Sequence, residues 1–128
     1  MSNNQLVANP NWLFSGIGTL EDGRKVMHQI LELKDRPDAV IAGSDEVAAG
    51  MVMEALACGV NVPKDIAIMG VDDQPIASLI QVPLTTIRQP IREEGEYAAK
   101  EMVRQLTAET EETVRKELEL ELVIRQSA

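Results

Sequence analysis

Apolar residues recur along the chain in two patterns, short continuous runs and longer stretches with spacings of three and four residues. The runs are typical of buried strands, and the spacing of three and four is typical of amphipathic helices. The predicted strands lie at residues 12–15, 39–42, 66–71, 84–87 and 117–122. The predicted helices begin after Thr19, after Ser44, near Ile76 and near Pro90, and the last and longest covers residues 91–106.

The order of these elements predicts the fold class. Strands and helices alternate with short connections, which is the pattern of a parallel sheet joined by crossover helices. We therefore predict an α/β fold, a Rossmann-like parallel sheet with helices on both faces, in which the strand at residues 66–71 is covered on both sides. The stretch 117–122 alternates strictly between acidic and apolar residues, so it is expected at a sheet edge. Residues 1–10 are predicted to be a tail or a truncation end, and residues 11–128 to form one domain.

Composition and charge exclude several classes of function. With 12 basic and 21 acidic residues, the chain has a net charge of −9 and no basic face with which to bind DNA phosphates by itself. The single cysteine, Cys58, excludes an internal disulfide and fits a reducing compartment. There is no apolar run long enough to span a membrane and no signal-peptide pattern, so we predict a cytoplasmic protein without a membrane partner.

Polar residues follow the predicted strands at the end where ligands of open α/β sheets bind. Gly18 follows the strand at 12–15, Ser44 and Asp45 follow the strand at 39–42, Asp72 follows the strand at 66–71, and Gln89 follows the strand at 84–87. A carboxylate accepts hydrogen bonds from two neighbouring hydroxyls, and Ser and Gln both donate and accept. These five residues therefore predict a crevice for a neutral, hydroxyl-rich ligand.

Each polar candidate also has a purely structural interpretation. Ser44 is a good N-cap residue, and Asp45 is stabilising in the first turn of a helix without any ligand. Asp72 could likewise cap the short helical segment that follows it. The sequence leaves these alternatives open.

Catalytic and metal sites have little support in the sequence. The only histidine, His28, lies in the middle of a predicted helix and is expected on the surface, and Cys58 is interpreted as a small apolar filler. The glycines at 16 and 18 lack the third glycine of a dinucleotide loop, and no Walker lysine is present. An acidic Mg²⁺ site at Asp72 and its neighbour would need a lysine that is absent at residues 88–89. We therefore predict no enzyme, no cofactor and no metal.

Four motifs in order resemble the C-terminal half of the lactose/galactose-repressor family of bacterial transcription regulators. They lie at residues 37–50, 59–66, 70–73 and 83–90, and the chain end, with Arg125-Gln126-Ser127, is similar as well. The resemblance implies a periplasmic-binding-protein-like domain whose two subdomains close on a small effector. DNA would then be bound only through an N-terminal domain that this chain does not contain.

The resemblance also implies roles for individual residues. Asp72 matches the family's main effector-binding aspartate, Ser44 stands where an asparagine often contacts ligand, and Gln89 matches a cleft position. Gly18 stands where many members have an aromatic residue, so either Trp12 or Phe14 takes its place through a shifted loop or the pocket is shaped differently there. The implied function is an effector-sensing and dimerisation module for a sugar or sugar phosphate. The alternative is half of a periplasmic sugar-binding protein of an importer.

Two further expectations concern packing. In the family, the helix at residues 91–106 belongs to the other subdomain, so here it would fold back onto its own sheet, swap with a second copy or stay mobile. The family also forms homodimers through this half, and burial inside the monomer is the competing explanation for each interface candidate. The candidates are Val47, Met51, Val52 and Ile80.

Overall fold

The computed structural model describes residues 9–107 and 114–128. A short 3₁₀ helix at Pro10–Trp12 is followed by four α-helices and four β-strands. The helices are α1 (Leu20–Glu32), α2 (Asp45–Ala57), α3 (Ile76–Leu79) and α4 (Ile91–Thr107). The strands are β1 (Ala39–Ile41), β2 (Ala67–Val71), β3 (Thr85–Arg88) and β4 (Glu121–Val123).

The strands form one sheet in the order β1-β2-β3-β4. β1 pairs with β2 and β2 with β3 in parallel, so the carboxyl ends of these three strands lie at one edge. β4 pairs with β3 in the antiparallel direction, with Thr86 opposite Val123. The α/β prediction and the edge position of the last strand are confirmed. The predicted parallel pairing holds for β1 to β3, whereas β4 is antiparallel, because strand direction depends on how the chain returns after α4 and not on local sequence.

The backbones of α1 and α2 approach each other very closely at two glycines. A Cβ atom added to Gly23 would lie 2.2 Å from the backbone oxygen of Val47, and one added to Gly50 would lie 2.0 Å from that of Leu20. The two helices can therefore cross only because neither has a side chain at the crossing point.

α1 begins with the predicted cap, a reciprocal capping box between Thr19 and Asp22.

The core lies between this helix pair and one face of the sheet. Along β2, Ile68 and Gly70 are buried, whereas Ala67, Met69 and Val71 are half-buried. Coverage of this strand is therefore complete on one face and partial on the other.

The prediction of a strand at residues 12–15 is wrong. Asn9 caps the 3₁₀ helix through its side chain, and Pro10 begins it. The Trp12 indole N–H donates to the backbone oxygen of Asp35 at 2.8 Å. A strand needs a neighbour to take up its backbone hydrogen bonds, and the described sheet begins at β1. The predicted tail falls largely on residues 1–8, which lie outside the described residues.

α4 differs from the other long helices because none of its residues is buried. Its large apolar side chains are well exposed, from 60% for Val103 to 80% for Leu106. The structure therefore does not show the fold-back onto the sheet that was one of the three expectations for this helix. Within residues 9–107 and 114–128, no helix combines the length and apolar character needed to cross a bilayer.

Candidate functional site

The chain reverses sharply where β2 ends. Asp72 has a φ of +104° and Asp73 a φ of +50°, values that non-glycine residues rarely adopt. The Asp72 N–H donates to the backbone oxygen of Ile87 at 2.8 Å, which continues the β2–β3 pairing one residue beyond the strand. The two carboxyl groups therefore leave the sheet in a conformation that the surroundings must hold in place.

The buried carboxylate of Asp45 holds this turn in place. It is fully buried, and its carboxylate accepts from the Thr86 hydroxyl and from the Gln74 backbone N–H, both at 2.6 Å. The Thr86 oxygen in turn lies 3.4 Å from the Asp73 backbone N–H, which donates to it. Asp45 therefore joins the start of α2 to β3 and to the turn after β2. The prediction that it contacts ligand is wrong, because the side chain has no exposed surface and its oxygens are already bonded.

Gly70 makes room for that carboxylate. A Cβ atom at this position would lie 2.2 Å from Asp45 Oδ1 and 3.2 Å from the Asp45 Cα atom. A side chain at residue 70 would therefore displace the group that supports the turn after β2.

Asp73 is bound by two arginines. Arg125 Nη2 donates to one carboxylate oxygen at 2.6 Å, and Arg88 Nε donates to the other at 2.7 Å. The hydrogen bond from Arg125, followed by that from Arg88, lowers the pKa of Asp73 although partial burial opposes this. Arg125 also donates to the backbone oxygen of Leu84 at 2.8 Å, and Arg88 donates to Glu121 at 2.7 Å. Asp73 thus ties β3 and the end of the chain to the turn.

Asp72 has a different set of partners. Its oxygens accept only from side-chain amides in the described contacts, from Gln89 Nε2 at 2.5 Å and from Gln74 Nε2 at 3.4 Å. The structure thus brings together Asp72 and Gln89, which the sequence placed at the ends of two strands. An amide that bonds a carboxylate can rotate away when a ligand hydroxyl replaces it.

The other two candidates lie at helix starts. Ser44 caps α2, since its hydroxyl oxygen accepts from the Val47 N–H at 3.3 Å. Ser44 is half-buried. Ile41 pairs with Met69, and Ser44 and Asp72 each come three residues after one member of this pair, so both lie at the same edge of the sheet. The exposed Gly18 donates from its backbone N–H to Asp22 at 3.4 Å. Among the described contacts, no hydrogen bond joins Gly18 to Ser44, Asp72 or Gln89.

Two depressions in the surface of the described residues bear on the site. One, of about 600 Å³, is open and is lined by Gln89 and the first turns of α4. The other, of about 640 Å³, lies between residues 9–17 and β1 and has no charged residue in its lining. Only the first borders a residue predicted to bind ligand, Gln89. The lining of the second is mostly apolar, with Asn9 and Ser15 among its few polar side chains.

Burial within the monomer accounts for three of the four predicted interface residues. Val47, Met51 and Val52 are at most 4% exposed and belong to the core between the helices and the sheet. They offer almost no surface to a second copy. Ile80 packs against this core but is only half-buried.

The described residues contain one group of side chains with metal-ligand chemistry, His28, Glu54 and Cys58. The expectation that His28 lies on the surface is confirmed, whereas Cys58 is exposed and is not an apolar filler. A hydrogen bond from Arg24 lowers the pKa of Glu54. Partial desolvation and the neighbouring Glu54 raise the pKa of the Cys58 thiol. No local pattern in the sequence indicates this cluster, because its members come from two different helices.

The chain end contributes contacts that sequence reasoning missed. Ser127 is fully buried, and its hydroxyl donates to the backbone oxygen of Ile68 at 2.5 Å while accepting from the Thr85 N–H at 2.9 Å. Ser127 therefore bridges β2 and β3 at the end opposite Asp72. A serine near a chain terminus carries no local signal of such a role.

Comparison with known proteins identifies the family to which this fold belongs. A family model described as a periplasmic binding protein-like domain matches residues 6–128. The chain is 37% identical over 117 residues to the NTD biosynthesis operon regulator NtdR of Bacillus subtilis, and 37% identical over 116 residues to the repressor PurR of Yersinia pestis. These alignments cover 91% of this chain but only 36% and 34% of the relatives. The chain thus spans about a third of the length of these relatives.

Solved structures show the same likeness. A LacI family transcriptional regulator from Lactobacillus casei with bound sucrose matches with a TM-score of 0.84 and 42% identity over 100% of this chain and 47% of its own. The regulator CelR in complex with cellobiose matches with a TM-score of 0.90 and 31% identity over 99% of this chain and 39% of its own. The chain belongs to the periplasmic-binding-protein-like domain family, and it corresponds to the effector-domain part of LacI-family transcription regulators.

Proposed function

We propose that this chain is the effector-sensing part of a cytoplasmic transcriptional repressor and that Asp72 and Gln89 bind a neutral saccharide. The observation that carries the proposal is the contrast between the two adjacent carboxylates. Among the described residues, Asp73 is bonded by two arginines, whereas Asp72 is bonded only by side-chain amides. Asp72 also has a strained backbone at the edge where ligands of parallel sheets bind.

A saccharide fits these groups better than a sugar phosphate does. A carboxylate accepts from two vicinal hydroxyls, and an amide both donates and accepts. A phosphate would need a free cation, but Arg88 and Arg125 are both bonded to Asp73, and Arg92, which lines the same depression as Gln89, is bonded to Glu96. The relatives with bound sucrose, glucose and cellobiose are all transcription regulators, and this supports the same class of ligand here.

The mechanism we propose is non-enzymatic and uses no cofactor. Ligand binding would shift the degree of closure between two subdomains. This chain would supply one wall of the cleft between them, with Ser44 and Gly18 at the margin of that wall. The exposed apolar side chains of α4 support the view that this helix packs in the other subdomain of a longer protein. DNA would be contacted only by a separate N-terminal domain.

Asp72→Asn tests the role of this carboxylate. We expect the variant to bind its saccharide about tenfold to a hundredfold more weakly, because a hydrogen bond to a charged group contributes about 1.5–3 kcal/mol. Asparagine tolerates the left-handed backbone and can still accept from Gln89, so the thermal midpoint should change little. The measurement is calorimetric titration, with glucose, sucrose and cellobiose, of the longer protein that contains both subdomains of the proposed cleft.

Asp38→Asn is the matched control, because it removes an exposed carboxylate at the opposite end of β1. Its affinity should equal that of the unchanged chain. Equal affinity in Asp72→Asn, or no saturable binding of any of the three sugars by the unchanged longer protein, would contradict the proposed saccharide site.

We also propose that the chain forms a homodimer through the surface of α2 and α3. These helices pack against each other. Met53 on α2 is 41% exposed, and Leu79, the last residue of α3, is 80% exposed. Ile80 follows directly and retains part of its surface. These residues replace Val47, Met51 and Val52 as the proposed contacts.

Leu79→Asp tests this interface by sedimentation equilibrium. We expect the unchanged chain to associate into a dimer and Leu79→Asp to weaken that association at least tenfold, because a charge would be buried at the contact. Leu106→Asp on α4 is a close control, since Leu106 is also 80% exposed. If Leu106→Asp abolishes association and Leu79→Asp does not, the dimer forms through α4 and the proposed interface is wrong.

Half of a periplasmic sugar-binding protein was the alternative function. The relatives and structures named above are transcription regulators, and no observation in the described residues favours transport. The repressor proposal therefore stands without a second candidate.

A further inference from the structure

The only histidine and the only cysteine of the chain meet at the same carboxylate. His28 lies on α1, whereas Glu54 and Cys58 lie four residues apart at the end of α2. His28 Nδ1 is 3.4 Å from Glu54 Oε1, and Cys58 Sγ is 3.7 Å from the same oxygen. The three donor atoms all lie within 4.8 Å of one another.

These separations suit a single small cation. Zinc binds sulfur at about 2.3 Å and nitrogen or oxygen at about 2.0–2.1 Å in a tetrahedral arrangement. Neighbouring ligand atoms around zinc are therefore roughly 3.3–3.8 Å apart. The two distances to Glu54 Oε1 already lie in this range. A small rotation of either exposed side chain, His28 or Cys58, brings the remaining distance into it.

The neighbouring side chains orient two of the three ligands. Arg24 Nε donates to Glu54 Oε2 at 3.1 Å, so the arginine occupies one oxygen and directs the other toward His28 and Cys58. On the far side of the imidazole, His28 Nε2 lies 3.8 Å from Glu32 Oε1. Histidines that bind metal through one nitrogen usually direct the other toward a carboxylate, which sets the tautomer and the ring orientation.

We propose that His28, Glu54 and Cys58 bind one Zn²⁺ ion, with a water molecule at the fourth position. The donor set of one imidazole, one carboxylate and one thiolate selects a borderline-soft transition ion over Ca²⁺ or Mg²⁺, which take oxygen ligands. The ion links the middle of α1 to the end of α2. None of its three ligands is among the side chains proposed to bind the saccharide, so the zinc site is independent of the effector site.

Titration of the reduced 128-residue chain with Co²⁺, followed by displacement with Zn²⁺, tests this site. We expect one Co²⁺ per chain and a sulfur-to-cobalt charge-transfer absorption band that one equivalent of Zn²⁺ removes. Cys58→Ser should abolish the band, and His28→Gln and Glu54→Gln should each weaken Zn²⁺ binding at least tenfold. Glu32→Gln should weaken it about tenfold, as expected for a carboxylate that orients a ligand.

Asp38→Asn is the control and should bind Zn²⁺ as the unchanged chain does. All altered ligands are at least partly exposed, and circular dichroism of each variant establishes that it is folded. Zn²⁺ should also raise the thermal midpoint of the unchanged chain but not of His28→Gln, because only a formed site binds the folded state preferentially. Absence of the cobalt band, or binding that needs Cys58 but neither His28 nor Glu54, would overturn the proposal and leave only an exposed thiol.

Discussion

Replacing Gly50 by alanine is expected to lower the free energy of unfolding by at least about 2 kcal/mol. The added methyl group would lie 2.0 Å from the backbone oxygen of Leu20 and 3.1 Å from the Arg24 backbone nitrogen. Both neighbours are main-chain atoms of α1, so no side chain can rotate away and the two helices must separate. This separation would open the packing of α1 on α2, which forms much of the core. Urea denaturation followed by far-UV circular dichroism measures the effect.

Gly95→Ala provides the matched control for Gly50→Ala. Gly95 is also a helical glycine, but a Cβ atom added there has nothing within 4 Å. Alanine favours the helix by up to about 1 kcal/mol relative to glycine, so this variant should be as stable as the unchanged chain or more stable. If Gly50→Ala behaves like Gly95→Ala, the close crossing of α1 and α2 does not exist in solution.

Replacing Asp45 by alanine is expected to destabilise the chain by about 3 kcal/mol or more. The substitution leaves the Thr86 hydroxyl and the Gln74 N–H without their buried acceptor, and each lost hydrogen bond to a charged group is worth about 1.5–3 kcal/mol. It also removes the group that fixes the turn at Asp72 and Asp73. Asp45→Asn should be milder, because its amide oxygen still accepts from Gln74. Denaturation curves give the stability, and amide hydrogen exchange at residues 72–74 reports the turn.

Glu46→Ala separates the buried role of Asp45 from a simple helix-start effect. Glu46 occupies the same first turn of α2 but is exposed, so its removal should cost only about 0.3–1 kcal/mol through the helix dipole. Similar destabilisation by Asp45→Ala and Glu46→Ala would mean that the contacts of Asp45 with Thr86 and Gln74 contribute nothing.

Most elements of the fold were predictable because their signals are local. The capping box of Thr19 and Asp22, the Ser44 cap and the spacing of apolar residues are local features, and they placed α1, α2 and α4 close to their observed bounds. The strand predicted at residues 12–15 failed for the opposite reason, since a strand exists only if another strand pairs with it. The direction of β4 was likewise decided by pairing with β3.

The site was predictable in part. Asp72 and Gln89 follow neighbouring parallel strands, so strand order alone places them at one edge, and the structure shows a hydrogen bond between them. Asp45 could not be assigned in the same way. Capping, ligand contact and a buried cross-link all suit an aspartate at the start of a helix, and only the position of Thr86 decides among them.

Periodicity, capping and motifs carried by consecutive residues were enough to predict the α/β class, the helix starts, the family and the strand-end location of Asp72. Packing between elements sets which of the two adjacent aspartates is bound by arginines, why residues 50 and 70 must be glycine, and that His28 and Cys58 meet at Glu54. Each of these depends on a distance of a few ångströms between atoms from different elements, and such a distance is set by how the elements pack and not by the residues of either element.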